Sequence, residues 1–465
     1  MSARGSSTYT IGEPSGVARR SIRGGMSLPK LFVTAALGAA LLPATAQAAA
    51  PWSDPVTVPG SSGQAGGAPQ VLFTRTRGGA IAFNAPGSFP GTPVLRSVLG
   101  DGGPLAATRW DGATNFDTTF GSFAAGDRIL YVGSNGERRV NVAIAPGPGS
   151  TWRTELRGPS TGGARSAAAA TPRGGAAAVF STFGPGDIGS VYLVRQTGVK
   201  APLPTQRVSE KGHIRAVSVA INASGDVLVA WDRSGTIEAR LWYASSHRFT
   251  AVSKLGTVNA AAHLSVALGS DHRAIVAWID QRVSEGNTGQ KATVMATARS
   301  GSRGFLLPAK QLEAYPDTSI PGGAGIEAAY TSDGRGLIAW SGRNAVRASL
   351  VDGRVIRPAQ DLAAIAPTDS QNDIGLGGVA TAPNGAAVVT MLAQVDATRN
   401  QVLAAPLAAG SAAFGPTETV SEAATYLNRT SSSFDPASGR VVVAWQVPSQ
   451  GADPNRVELA TRPSP

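Results

Sequence analysis

The chain has 465 residues, 42% of them hydrophobic and only 15% charged, which is enough apolar material for a large packed core and excludes a solvated, disordered polymer. It has no cysteine, so disulfides and thiolate–metal clusters are excluded as sources of stability. The formal charge is +11, but the bases are mainly arginines scattered along the sequence, so no continuous phosphate track is written and no nucleic-acid partner is expected.

The first element is at the N-terminus. From Met26 the sequence "MSLPKLFVTAALGAALLPATAQAAAPWS" has a short basic region ending at Lys30, an apolar run over 31–42 and small residues at Ala46 and Ala48. This predicts a signal peptide over 1–48, with Met26 the expected true start and Ala49 the first mature residue. The run is shorter than the roughly 20 apolar residues of a transmembrane helix, and no later segment approaches that length. The expected location is therefore secreted, the alternative being a chain tethered by an uncleaved signal. Without residues 1–48 the chain loses five bases and one acid, and its charge falls to +7. An exported chain without cysteine must be held by packing alone.

From residue 78 onward one pattern recurs. Short apolar runs end in an aromatic or large residue at Phe83, Tyr131, Phe180, Trp231, Trp278, Trp340, Met391 and Trp445, spaced 47 to 62 residues apart. Each run is preceded by a first strand such as "AVSVAIN" and a Gly-rich turn such as "NASG", "TSDG", "APNG" or "PASG". A third strand follows ("TIEARLWYA", "AVRASLV"), and then a fourth ("RFTAVSKLG", "VIRPAQDL"). Four antiparallel strands per unit predict an all-β chain, a single β-propeller over 49–465 with eight four-stranded blades, seven being the alternative count. In "VLVAW" at 227–231 every side chain is apolar, so both faces of that strand must be covered. The repeated aromatic then belongs to the core between blades.

The last unit stops after a third strand, "RVELATRPSP", whereas the mature start "APWSDPVTVPG" has the fourth-strand pattern. Residues 51–60 are thus expected to complete the last blade and leave no open sheet edge.

The stretches "NASGDVLVAW", "TSDGRGLIAW" and "DPASGRVVVAW" resemble the tandem repeats of secreted bacterial propeller proteins, TolB-like and sialidase-like. The resemblance spans the mature chain and implies a fold rather than an activity. The Ser-x-Asp-x-Gly-x-x-Trp box usual in sialidase blades is missing, since the nearest stretch, Thr331-Ser332-Asp333-Gly334, fails at the Gly and Trp positions.

Connections between strands two and three, and between blades, share one face of a propeller. The long segments 280–291, 313–325, 365–375, 421–429 and 446–456 all fall there, which makes that face the expected binding surface. The candidate ligand-binding residues are Arg233, Arg282, Arg343, Asp280, Tyr315 and Tyr426. The three arginines lie just past the closing Trp in three successive units, where converging guanidinium groups could grip a carboxylate. Glu285, Asp317, Asp369, Asn372, Asp373 and Arg429 accompany them on the same face. No Ser-His-Asp arrangement or phosphate loop is readable, and His213, His247, His263 and His272 show no metal-ligand spacing, so no catalytic residue, metal or cofactor is expected. These features favour a monomeric binding or scaffolding module for extracellular glycan or protein over an enzyme. The alternatives are a sialidase-like glycoside hydrolase or polysaccharide lyase, and a cell-surface structural protein.

Overall fold

The structure is a computed structural model, and it describes residues 51–58, 61–63, 69–73, 79–84, 93–99, 116–125, 128–135, 139–145, 153–160, 165–171, 174–182, 188–196, 204–259, 261–283, 290–301, 303–315, 325–342, 345–364, 374–396, 398–425, 427–449 and 454–465. All lie in the unit Ala49–Pro465. Its strands form eight antiparallel sheets, and no helix occurs among the described residues.

The fourth sheet shows why these residues become strands. Gly212–Ile221 pairs with Val227–Arg233, which pairs with Thr236–Tyr243, followed by Ser253–Thr257. Strand side chains alternate between the two faces of a sheet. Val227, Val229 and Trp231 pack with Val179 and Leu193 of the third sheet, whereas Leu228 and Ala230 pack with Val266, Val276 and Trp278 of the fifth. Both faces meet a neighbour, so the run has no polar position to spare.

The same order recurs in the fifth sheet (Ala261–Leu268, Ala274–Val283, Gln290–Arg299, Lys310–Tyr315) and the sixth (Ile326–Tyr330, Gly336–Ser341, Ala345–Asp352, Gln360–Ala364). It recurs again in the seventh (Ile374–Thr381, Ala387–Gln394, Arg399–Leu407, Glu418–Thr419). The first sheet has three described strands, within 70–99; the fourth strand expected there falls outside the described residues. Trp278, Trp340, Met391 and Trp445 are each 1% exposed or less, and each packs toward the preceding sheet. The repeat therefore marks one wedge of core per inter-sheet gap. The side chain of Tyr131 lies outside the description.

The eighth sheet is built from both ends of the unit. Asn428–Phe434, Val441–Val447 and Arg456–Arg462 are joined by Val56–Thr57, in register with Leu459 and Glu458. Flanking bonds run from Ser53 N to Thr461 O and from Val58 N to Val457 O, both 2.8 Å. Val442 and Ala444 of this sheet share a core with Val71, Ile81 and Phe83 of the first. The innermost strand of each sheet touches that of the next, and the eighth touches the first.

The turns between first and second strands are nearly identical. Those at 222–226, 269–273, 331–335 and 382–386 each close with a bond from the residue before the second strand's partner back across the turn, as from Asn222 N to Asp226 O. Their fourth position needs a left-handed backbone, with φ of +86° at Gly225, +84° at Gly334 and +93° at Gly385. His272 takes that position in the fifth sheet with φ +63°, a strained choice for a residue with a Cβ. It is offset by a 3.0 Å contact from Nε2 to Asp226 and edge packing on Tyr243.

Candidate functional site

The opposite face carries the connections between second and third strands and between sheets, and these vary in length. Arg233 and Thr236 close one across two residues, whereas Val283 and Gln290 or Val447 and Arg456 leave longer connections.

Arg233 stands at the end of its strand, partly exposed, with its guanidinium engaged by a buried carboxylate. Its Nε and NH2 donate to Glu238 Oε2 and Oε1 at 2.8 and 2.5 Å, and Trp231 Nε1 donates to the same Oε2 at 2.8 Å. Glu238 is 1% exposed, so its carboxylate is paired and hydrogen-bonded within the fold rather than by water. The hydrogen bond to Glu238 correspondingly holds the arginine above its ordinary pKa, against the opposing effect of burial. The clasp recurs. Trp445 and Arg456 donate to Glu458 at 3.2 and 2.8 Å, and Trp340 donates to Glu313 at 2.6 Å while Arg347 pairs with that carboxylate from the other side. Glu238 and Glu458 face their tryptophans directly across the ladder, a relation visible only once the strand register is known.

Asp280 is 3% exposed, and its Oδ1 accepts from Asn259 N at 2.8 Å. Val258 N donates to Gly235 O at 2.8 Å, so the Arg233 turn and Asp280 are both tied to the segment 258–259. Tyr315 is half-buried against the fifth and sixth sheets, with its hydroxyl beside Gly342, and burial pushes its phenol above the usual range. Arg282 lies opposite Lys291 near the open end of the fifth sheet, though its side chain is outside the description. Arg343, Tyr426, Glu285, Asp317, Asp369, Asn372 and Asp373 lie outside the described residues altogether. Of the six candidates, the structure thus brings together Arg233 and Asp280, and it commits both to internal partners.

Two features of the inner strands carry no sequence signal. One-residue register shifts recur between Ile214 and Ala216, Ala261 and His263, Leu376 and Gly378, and Asn428 and Thr430, all toward this face. Such bulges re-aim side chains. They set Arg215 and Arg429 at bulge positions, and the exposed Arg215 donates to Asn259 O. Deeper in, side chains from one inner strand accept amides of the next: Ser265 Oγ from Ala328 N at 3.0 Å, Glu327 Oε2 from Val379 N at 2.9 Å, and Ser431 Oγ from Val71 N at 3.2 Å. Glu327 thus holds the place that serine holds in two other sheets, and burial pushes its carboxyl up to about 7. Burial also lowers His263. Among the described residues no three His, Asp or Glu side chains converge as a metal site requires.

No protein-family model matches the chain, and no curated protein matches it in sequence. Solved structures match its fold. The Dos1 propeller is 10% identical over 90% of this chain and 96% of its own, with a TM-score of 0.50. Looser matches include the polysaccharide lyase Uly1 (10% identical, 89% of this chain, 99% of that one, TM-score 0.42). Another is a subtype N11 neuraminidase-like protein of a flat-faced bat isolate (10%, 67%, 92%, TM-score 0.37). The eight sheets and the match to the Dos1 propeller make the fold a β-propeller, and at this identity the likeness extends to fold alone.

Proposed function

We propose that the protein is an exported, monomeric, eight-bladed propeller that acts as a binding or scaffolding module, holding an extracellular glycan or protein on its variable-loop face. The observation that carries this reading is the contrast between the two faces. Four successive turns between first and second strands keep one length and one closing hydrogen bond, whereas the connections opposite differ from sheet to sheet. Uniform turns are what a scaffold requires, and varied connections on a rigid scaffold are where recognition groups are placed. The repeated tryptophans Trp231, Trp278, Trp340 and Trp445 are consumed by packing, which leaves recognition to the connections between the strands.

The test is a glycan array probed with the purified protein, run beside a fluorogenic sialoside hydrolysis assay. Saturable binding without turnover is expected, weakened by Arg282→Ala. Turnover abolished by Arg282→Ala would replace the binding module with a glycan-cleaving enzyme. Export is tested separately by mass spectrometry of the protein in the medium, with Ala49 expected as its first residue.

A further inference from the structure

The face of uniform turns has its own asymmetry, at the connections between third and fourth strands. Three such connections in consecutive sheets cover 243–254, 299–310 and 352–360 and carry seven Arg and Lys against one Asp, a net +6. The chain after residue 48 has a net charge of +7, so these three turns hold nearly all of it. In the sequence the bases look scattered because a sheet separates each group from the next. The fold gathers them: Lys310 Nζ donates to Ile356 O at 2.7 Å and Arg354 NH2 to Phe305 O at 3.3 Å, tying the fifth turn to the sixth, while Phe305 packs into the core shared with the fourth. Arg248, Lys254 and Arg303 are exposed, and no carboxylate among the described residues pairs with them.

The tips of the same turns are apolar. Among the described residues seven large hydrophobics are more than a third exposed, and four belong to these turns: Val252 (41%), Leu306 (36%), Leu307 (54%) and Val355 (65%). Single exposed apolar residues are ordinary, but four on one basic rim are not. Pro51 and Ser53 also stand at this end of the eighth sheet, since Ser53 pairs with Thr461 at the strand's turn side.

We infer that the turns at 243–254, 299–310 and 352–360 form a docking rim for a membrane surface bearing anionic headgroups. Arg248, Lys254 and Arg303 would meet the phosphates, while Arg357 is held by Asp352, and Leu306, Leu307 and Val355 would enter the boundary with the acyl chains. A soluble polyanion would satisfy the cations equally well but would leave the apolar tips in water, so the leucines favour the membrane. The variable-loop face is on the other side of the sheets and would stay free for a ligand.

The experiment is co-sedimentation of the whole chain with vesicles of equal parts phosphatidylcholine and phosphatidylglycerol, against vesicles of phosphatidylcholine alone, with heparin as a soluble polyanion. Residues 1–48 are retained, so they contribute equally to every variant. Binding to the anionic vesicles should fall about tenfold in Leu306→Ser/Leu307→Ser and about 25-fold in Arg248→Gln/Arg303→Gln, at roughly fivefold per basic residue. Val355→Ser, on a separate turn, should weaken binding in the same direction and keeps the test open if the double leucine variant melts early. Equal binding of all variants to the anionic vesicles would overturn the inference. So would heparin binding that matches vesicle binding in strength and ignores the leucines, which would make the rim a polyanion site.

Discussion

The two faces of the propeller are built by opposite rules. On one, the turns at 222–226, 269–273, 331–335 and 382–386 repeat a plan so closely that even His272 is forced into the backbone shape of the glycine it replaces. On the other, connections range from two residues at Ser234–Gly235 to the long segments after Val283 and Val447. Residues that repeat are consumed by the fold, and residues that vary carry no such constraint.

That contrast can be broken most sharply inside the repeat. Trp231→Ala removes a fully buried indole from between two sheets, and the expected loss is about 3–5 kcal/mol in chemical denaturation. An unchanged midpoint would remove the tryptophan from the core. One step out, Glu238→Ala should cost about 1–3 kcal/mol, because it strands the Trp231 N–H and the partly exposed Arg233 guanidinium. A loss limited to that of an ordinary surface substitution would mean that Arg233 is available to a ligand after all.

Glu327 gives a prediction in pH. Its carboxyl is raised from 4.5 to about 7, so the folded protein holds this proton more tightly than the unfolded chain does. Stability should therefore decline as pH rises from about 4.5 through about 7 and stay level beyond. Glu327→Gln keeps an acceptor for Val379 N and should flatten that slope, leaving the variant more stable than the parent at pH 8 by on the order of 1 kcal/mol. Parallel pH profiles for the two proteins would show that the carboxyl is not desolvated. The smallest effect is expected on the variable face, where replacing 284–289 by a two-residue turn should change stability by less than about 0.5 kcal/mol while reducing glycan binding.

Much of the fold was legible because the apolar runs and Gly-rich turns are local signals repeated in phase. The missing last strand was legible for the same reason, as "PVTV" at 55–58 fits a place left open after "RVELATR". The carboxylates that clasp the tryptophans were not, because Glu238 meets Trp231 only through strand register and Glu313 reaches Trp340 from the neighbouring sheet. Nor was the gathering of Arg248, Arg303 and Arg354, since charge that is scattered along a repeat is concentrated wherever the repeat places one turn beside the next. The position of Arg233 just after a tryptophan is visible in the sequence, but the same position is where a strand-end base can neutralise a buried acid, as it does with Glu238.

Completion of the eighth sheet depends on a two-residue strand, Val56–Thr57, held by Leu459 and Glu458. Removing residues 49–62 and following the product by size-exclusion chromatography and thermal melting tests this directly. The edge of Arg456–Arg462 would then be unpaired, and the expected result is association beyond the parent's elution position and loss of a single cooperative transition. A truncated chain that elutes as the parent does and melts at the parent temperature would contradict it.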